Sequence, residues 1–216
     1  MAIKKRKSIL PGGAVILLLI FLQAGFGYGF NSDNLRLFES SRPHRCEGCD
    51  LSGLDAGGWE LDDSELTGAN MKNAFLVATE FESANMKDVD LSGANLRKAT
   101  FSRANLRNVK LRKAVLDHAA VNEADMTGAD LREADLTDSN LLGTNLSNAD
   151  LRMTILSSVN LRMTNLSFAN FSGARLDNAD LRGANIEGIN LKGADLSGAI
   201  WVDGRRCKSN SEGVCR

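Results

Sequence analysis

Histidine, proline and tyrosine are scarce in this sequence of 216 residues, which contains two histidines, two prolines and one tyrosine. His44 and His118 have no nucleophile or set of metal ligands at a recognisable spacing, and no Gly-rich phosphate-binding loop occurs. Pairs of carboxylates occur along the whole repeat, so they carry no information about acid and base roles. These absences argue against an enzyme, and the sequence predicts neither a cofactor nor a metal site.

The sequence also lacks an excess of positive charge, with 26 Lys and Arg residues against 27 Asp and Glu residues. Residues 1–30 hold four of these basic residues and none of the acidic ones, which leaves the remainder with a net charge of −5. Proteins that bind nucleic acid present a basic face to the phosphates. We therefore expect no nucleic-acid partner.

Residues 1–30 differ in kind from the rest of the chain. A basic run at residues 4–7 precedes nine uninterrupted apolar residues at 14–22, and a small-x-small cleavage sequence follows at 25–27. This order is typical of a secretory signal peptide. The alternative is an uncleaved anchor over residues 9–30 in the inner membrane, because such a span needs about twenty apolar residues. Both interpretations predict export, to the periplasm or the extracellular space, and residues 31–45 are predicted to form a linker.

A five-residue repeat runs without interruption from Leu61 to Leu196. Each of these 28 positions is apolar, most often Leu, and the residue two before it is Ala seventeen times. A helical stripe recurs every 3.6 residues, and an odd period would alternate between the two faces of a plain strand. The period therefore predicts a short extended segment followed by a bend, with both restricted side chains pointing inward.

Glycine often occupies the second residue of the bend, as at Gly93, Gly128 and Gly173. Glycine suits a turn position that needs a positive φ. A chain that bends every five residues with its apolar side always inward winds around a narrow hydrophobic axis. The sequence thus predicts an all-β solenoid.

The motif Ala-(Asp/Asn)-Leu-x-x, seen at residues 94–96 and 129–131, resembles the repeat of the pentapeptide-repeat proteins. This resemblance covers about 150 of the 216 residues. It implies a right-handed quadrilateral β-helix with four pentads per coil, predicted over residues 46–201. About seven coils would span residues 59–198, and at about 4.8 Å per coil the rod would be roughly 34 Å long.

Twenty residues per coil would stack each outward position above itself, which places several arginines in one column on one face. Carboxylates two residues earlier, such as Asp130 and Asp150, are expected to neutralise most of this charge, and an anion-binding strip is the alternative. Outward apolar side chains are a further lead. The predicted binding face comprises Arg112, Arg132, Arg152, Leu142, Met153, Met163 and Phe168. A column of asparagines is expected to form hydrogen bonds along the axis, namely Asn85, Asn105, Asn145, Asn165 and Asn185.

Four cysteines flank the repeat, with Cys46 and Cys49 before it and Cys207 and Cys215 after it. A CxxC sequence occurs in zinc sites, redox dithiols and structural disulfides, but one zinc ion cannot bind cysteines at both ends of the predicted rod. An even cysteine count in an exported protein predicts local disulfides. We expect Cys46 to pair with Cys49, and Cys207 to pair with Cys215.

Trp201 continues the inward apolar column past the last pentad and is predicted to cover the end of the rod. Residues 202–216 are predicted to form a disulfide-closed cap, which the open edge of a solenoid requires. The CxxC sequence, the pentads and the tail Trp-x-Asp-Gly-x-x-Cys together resemble a subset of exported bacterial pentapeptide-repeat proteins.

These features favour a non-enzymatic exported scaffold or protein-binding module with an unidentified protein partner. One alternative comes from the resemblance, since some family members mimic duplex DNA and protect or inhibit DNA gyrase, although the charges here are mixed in sign. A second alternative is an anchored organiser of the cell envelope, which would contact the membrane only through residues 9–30.

Overall fold

The chain forms a β-helix in the computed structural model, which describes residues 44–216. Each pentad contributes one residue to a parallel β-bridge, and that residue pairs with the residue twenty positions later, from Arg45↔Glu65 to Asp180↔Ile200. Twenty residues therefore make one coil with four sides. The predicted leader at residues 1–30 and most of the predicted linker lie outside the described residues. Within residues 44–216, no helix is long and apolar enough to cross a membrane.

The four sides of the β-helix are named here by their residues in the first coil. Face A begins with residues 44–48, face B with 49–53, face C with 54–58 and face D with 59–63, and each face recurs at intervals of twenty residues. Within each pentad, the first and third residues point inward, the second forms the bridge, and the fourth and fifth make the bend.

Each ladder has eight rungs, one more than the seven coils expected from the sequence. The first coil has its first bridge at Arg45, the last residue of the predicted linker. Its inward positions hold Cys49, Leu54 and Trp59 instead of Ala, so the sequence pattern weakens there. Bridges use only backbone N–H and C=O groups, so the coil forms regardless of these substitutions.

In the pentad at residues 129–133, every backbone N–H group has a partner. Leu131 and Glu133 donate to carbonyls of the next coil at 2.8 and 3.1 Å, and Asp130 donates to the preceding coil at 2.9 Å. The N–H of Arg132 donates to Oδ1 of Asp130 at 3.3 Å. The first residue of each pentad donates to the carbonyl three residues earlier, which closes the bend. Asp and Asn suit the second position because their side chains accept the N–H that the bend would leave unpaired.

The fifth residue of every pentad from Gly48 to Gly198 has a φ between 54° and 72°. This confirms the left-handed bend that the glycines indicate. Many of these positions are not glycine, and they include Met153, Met163 and Phe168. The left-handed conformation costs a non-Gly residue about 1–2 kcal/mol, so bulky residues there are unfavourable for the fold alone.

The interior is one continuous column of buried apolar side chains, with Leu, Ala and Phe at successive inward positions. Phe81 and Phe101 occupy the same inward position on neighbouring coils, and their rings stack with centroids 5.1 Å apart. Cys46 extends this core at one end, and Cys207 and Cys215 extend it at the other. The disulfides Cys46–Cys49 and Cys207–Cys215 are both present, so the apolar column ends in a disulfide on each side.

The C-terminal tail folds back over the last coil and pairs with it in the antiparallel direction, through Asp195↔Glu212 on face C and Ile200↔Arg206 on face D. The tail thus replaces a ninth coil on these two faces. Trp201 is partly buried against the core, and its backbone N–H donates to the carbonyl of Arg205 at 2.8 Å.

Polar residues at the first position of the pentad also have hydrogen bonds in most cases. The hydroxyls of Thr79, Thr144 and Thr154 donate to carbonyls of the preceding coil at 2.8–2.9 Å. Ser64 is fully buried, and its hydroxyl has no partner within the described residues.

Replacing Ser64 with alanine is therefore expected to raise the free energy of unfolding by about 1 kcal/mol, because an unsatisfied buried hydroxyl costs stability. Guanidinium denaturation followed by circular dichroism would measure the change. Thr154→Val is the control, and it should lower stability by about 1 kcal/mol because it removes a made hydrogen bond. A destabilising Ser64→Ala would contradict the prediction.

Candidate functional site

Face B carries the arginine column that the sequence predicts, and two of its arginines are held by carboxylates on their own rungs. Nε and Nη2 of Arg132 donate to Asp130 at 2.7 and 2.6 Å. Arg152 makes the same contacts with Asp150 at 2.8 and 2.7 Å. The bridge position and the fourth position of a pentad project from the same face two residues apart, so these two guanidinium groups reach back to the carboxylates of their own pentads.

These pairs change the titration of the carboxyl groups on face B. The hydrogen bond from Arg132 holds the pKa of Asp130 below its ordinary value, and the bond from Arg152 does the same for the pKa of Asp150. Arg112 donates to Glu133 at 3.0 Å, which lowers the pKa of that carboxyl. The carboxylates of face B are therefore ionised throughout the neutral range.

A shallow concavity of about 550 Å³ lies along this face. Arg112, Arg132, Arg152 and Met153 line it, so the structure brings four of the predicted binding residues together. The other lining residues are Glu133, Ser172, Gly173, Lys192 and Gly193. The predicted binding face omitted these five, although their positions twenty or forty residues from Arg152 and Met153 would have identified them.

The exposed apolar side chains do not lie on one surface. Phe168 ends face A and Met153 ends face B, so these two residues stand at opposite corners of face B. Met163 and Leu142 lie at the corner between faces D and A, on neighbouring coils. The side with Arg132 therefore has apolar residues at both borders, while Leu142 and Met163 belong to a different corner.

Three of these apolar side chains lie against a glycine on the next coil. A Cβ atom at Gly173 would be 2.6 Å from Sδ of Met153, and a Cβ atom at Gly188 would be 2.6 Å from the ring of Phe168. Met163 has the same relation to Gly183. A large residue at the fifth position of a pentad, with glycine twenty positions later, thus indicates a side chain that packs over the glycine of the next coil.

The pentapeptide repeat family matches in eight copies, over residues 45–82, 84–120, 124–162 and 160–198. The chain belongs to the pentapeptide repeat family. No curated protein matches the chain.

Solved pentapeptide-repeat structures also match, at low identity. HetL, involved in heterocyst differentiation regulation in the cyanobacterium Nostoc sp. strain PCC 7120, is 27% identical over 75% of this chain and 89% of its own, with a TM-score of 0.26. QnrB1, a plasmid-mediated fluoroquinolone resistance protein, is 19% identical over 68% and 79%, with a TM-score of 0.42. Rfr23 from the cyanobacterium Cyanothece 51142 is 21% identical over 79% and 98%, with a TM-score of 0.32. The functions of these relatives vary, so membership assigns no single function to this pentapeptide-repeat protein.

Face A of this pentapeptide-repeat protein carries the asparagine column. The amide of Asn105 donates to Asn85 at 3.0 Å, and the amides of Asn165 and Asn185 each donate to the asparagine of the preceding coil at 3.1 Å. The expected hydrogen bonds along the axis are therefore confirmed. These amides bind one another, so face A is a weaker candidate for ligand binding than face B.

Residues 44–216 contain no group of three or more His, Cys, Asp or Glu side chains placed to hold a metal ion. His118 occupies the fifth position of a pentad on face C, with a φ of 59°. Its place in the bend is that of an outward corner residue.

Proposed function

We propose that this protein is a non-enzymatic, exported scaffold that binds a partner protein through face B. The concavity that holds Arg112, Arg132, Arg152 and Met153 is the observation that carries the proposal. For this proposal we take the rod to be the right-handed quadrilateral β-helix that the family resemblance implies. Solenoids of this kind offer long lateral faces on a rigid axis, which is what a binding scaffold requires.

The side chains of face B are suited to binding. The arginines are engaged in ion pairs with Asp130, Asp150 and Glu133, and the concavity is open along the rod. Guanidinium groups and thioethers recognise charged and apolar surfaces of other proteins. An arginine fixed by its own carboxylate also has less side-chain entropy to lose when a partner binds.

Two disulfides and no free cysteine in residues 44–216 support an oxidising compartment, because such bonds are rare where thiols are kept reduced. The basic and apolar leader at residues 1–30 also supports export, because that order of residues is typical of a secretory signal peptide. Mass spectrometry of the mature N-terminus in the native host would separate a cleaved protein from an anchored one. Recovery of the intact chain in the cytoplasm with four free thiols would overturn this part of the proposal.

Binding through face B can be tested by site-specific photo-crosslinking in the native host. A photoreactive residue at Ser172 lies within the concavity, and one at Ser157 occupies the same pentad position on face C. We expect the photoreactive residue at position 172 to crosslink to a partner protein and the one at position 157 to give no crosslink. Equal crosslinking from the two faces, or none from either, would contradict it.

A further inference from the structure

Face B is the positive side of an otherwise acidic rod. Residues 44–216 contain 20 basic and 25 acidic side chains, whereas face B from Lys110 to Gly193 contains six basic and three acidic ones. Lys110, Lys113 and Lys192 add to the three arginines on this side. Because the sign of the charge changes locally, this face attracts a negatively charged partner that the rest of the surface repels.

Two central arginines of face B are held in place before any partner arrives. Arg132 and Arg152 direct Nε and Nη2 toward their own carboxylates, and neither Nη1 group has a hydrogen-bond partner within the described residues. A guanidinium has five N–H donors, so each of these arginines keeps donors for an incoming carboxylate. Fixing the side chain in advance lowers the entropic cost of that contact.

The spacing of these cations fits a helix better than a strand. Arg112, Arg132, Arg152 and Lys192 share one column, with Ser172 in the remaining position. Neighbouring rungs lie about 4.8 Å apart, so the column is about 19 Å long. A helix presents one side chain per turn at about 5.4 Å, and about 13 residues cover this length. Alternate residues of an extended strand lie about 6.7 Å apart and lose register with the rungs.

The borders of the face are apolar. Met153 and Phe168 stand at its two corners, with 63% and 59% of their surface exposed. Both adopt the left-handed backbone conformation, which disfavours bulky residues. A partner that buries these side chains would offset the cost of exposing them.

We propose that face B binds an acidic, amphipathic α-helix of the partner, laid along the axis of the rod. Carboxylates at helical spacing contact the cationic column, and apolar residues of the helix cover Met153 and Phe168. The inference rests on the proposed binding function and adds the chemistry of the partner segment.

The probe is a capped, fluorescent helical peptide of about 18 residues, with Glu on one face at helical spacing and Leu beside it. A peptide of the same composition with a shuffled order, and one held extended by proline, are the comparison ligands. Fluorescence anisotropy with the disulfide-bonded protein measures the dissociation constant. The amphipathic helix should bind at least tenfold more tightly than either comparison peptide, and raising salt from about 50 to about 500 mM should weaken it.

Paired substitutions locate the site. Arg132→Gln with Arg152→Gln should weaken binding of the helical peptide by about tenfold, since two ion pairs are lost. The matched control is Arg162→Gln with Arg182→Gln, which removes two stacked arginines from the same pentad position on face D. Arg182 is held by Asp180 as Arg132 is held by Asp130, whereas Arg162 has Asn160 in place of a carboxylate, so the control removes one such pair where the face B variant removes two. The control should leave the dissociation constant unchanged.

A variant that binds the helical peptide more tightly provides a second test, because a folding defect cannot increase affinity. Ser172→Arg completes the column and should tighten binding about threefold, while Ser157→Arg on face C should have no effect. Equal loss from the face B and face D pairs would overturn the proposal. Equal or tighter binding of polyphosphate or heparin, in place of selective binding of the helix, would also overturn it. A partner crosslinked at Ser172 without affinity for the acidic helix would refute this inference alone. Helix binding without any partner would refute the proposed function.

Discussion

Replacing Phe101 with alanine is expected to lower the free energy of unfolding by about 3–5 kcal/mol. Phe101 is almost completely buried and stacks on Phe81, with ring planes 4° apart. The interior is a single column, so a cavity there removes contacts between neighbouring coils that nothing else in the cross-section replaces. Guanidinium denaturation followed by circular dichroism would measure the loss.

The matched control is Phe168→Ala, because Phe168 is the same residue at an exposed corner. A surface substitution of this kind usually changes stability by less than about 0.5 kcal/mol. In a solenoid, each coil contacts only its neighbours, so the Phe101→Ala variant should also unfold less cooperatively. Equal losses from the two substitutions would show that the interior column is not what stabilises the rod.

The fold of this protein was largely predictable because one spacing determines it. Leu131 and Ala129 point inward from the same pentad, and this pair recurs often enough to exclude both a helix and a plain strand. The β-helix was predicted from residue 46 and so included the first coil, but the count of seven coils began at residue 59, because Leu54 and Cys49 stand where Ala is expected. Side-chain patterns report the core, whereas the bridge at Arg45 depends on backbone groups that every residue carries.

The candidate site was predictable only in part. Coil length placed Arg112, Arg132 and Arg152 in one column, and the same register would have separated Met163 from face B. The direction of each guanidinium could not be read from the sequence. Arg132 can reach Asp130 on its own rung or Asp150 on the next, and the structure gives it two short bonds to the first and a longer contact of 3.6 Å to the second. That choice depends on rotamers and on local packing.

Replacing Cys207 and Cys215 with serine is expected to lower the free energy of unfolding by about 2–3 kcal/mol, because the disulfide closes a loop of nine residues. It should also cause association that increases with protein concentration. The tail pairs with Leu196 and Trp201 on faces C and D, at 2.8 Å in both cases. Within the described residues, the N–H groups of Ile186 and Leu191 on faces A and B have no partner, so the tail already covers only half of this edge.

Loss of the tail would leave all four sides of the last coil unpaired, and an unpaired β-edge recruits other chains. Analytical ultracentrifugation of the oxidised protein and the double variant would measure the change. Cys46→Ser with Cys49→Ser is the control, and it should cost about 2 kcal/mol without association. Cys46 and Gly48 donate their N–H groups to the second coil at 2.8 Å, so the first coil keeps its place without the disulfide. A double variant of Cys207 and Cys215 that stays monomeric, with a tail resistant to protease, would show that backbone pairing alone holds the cap.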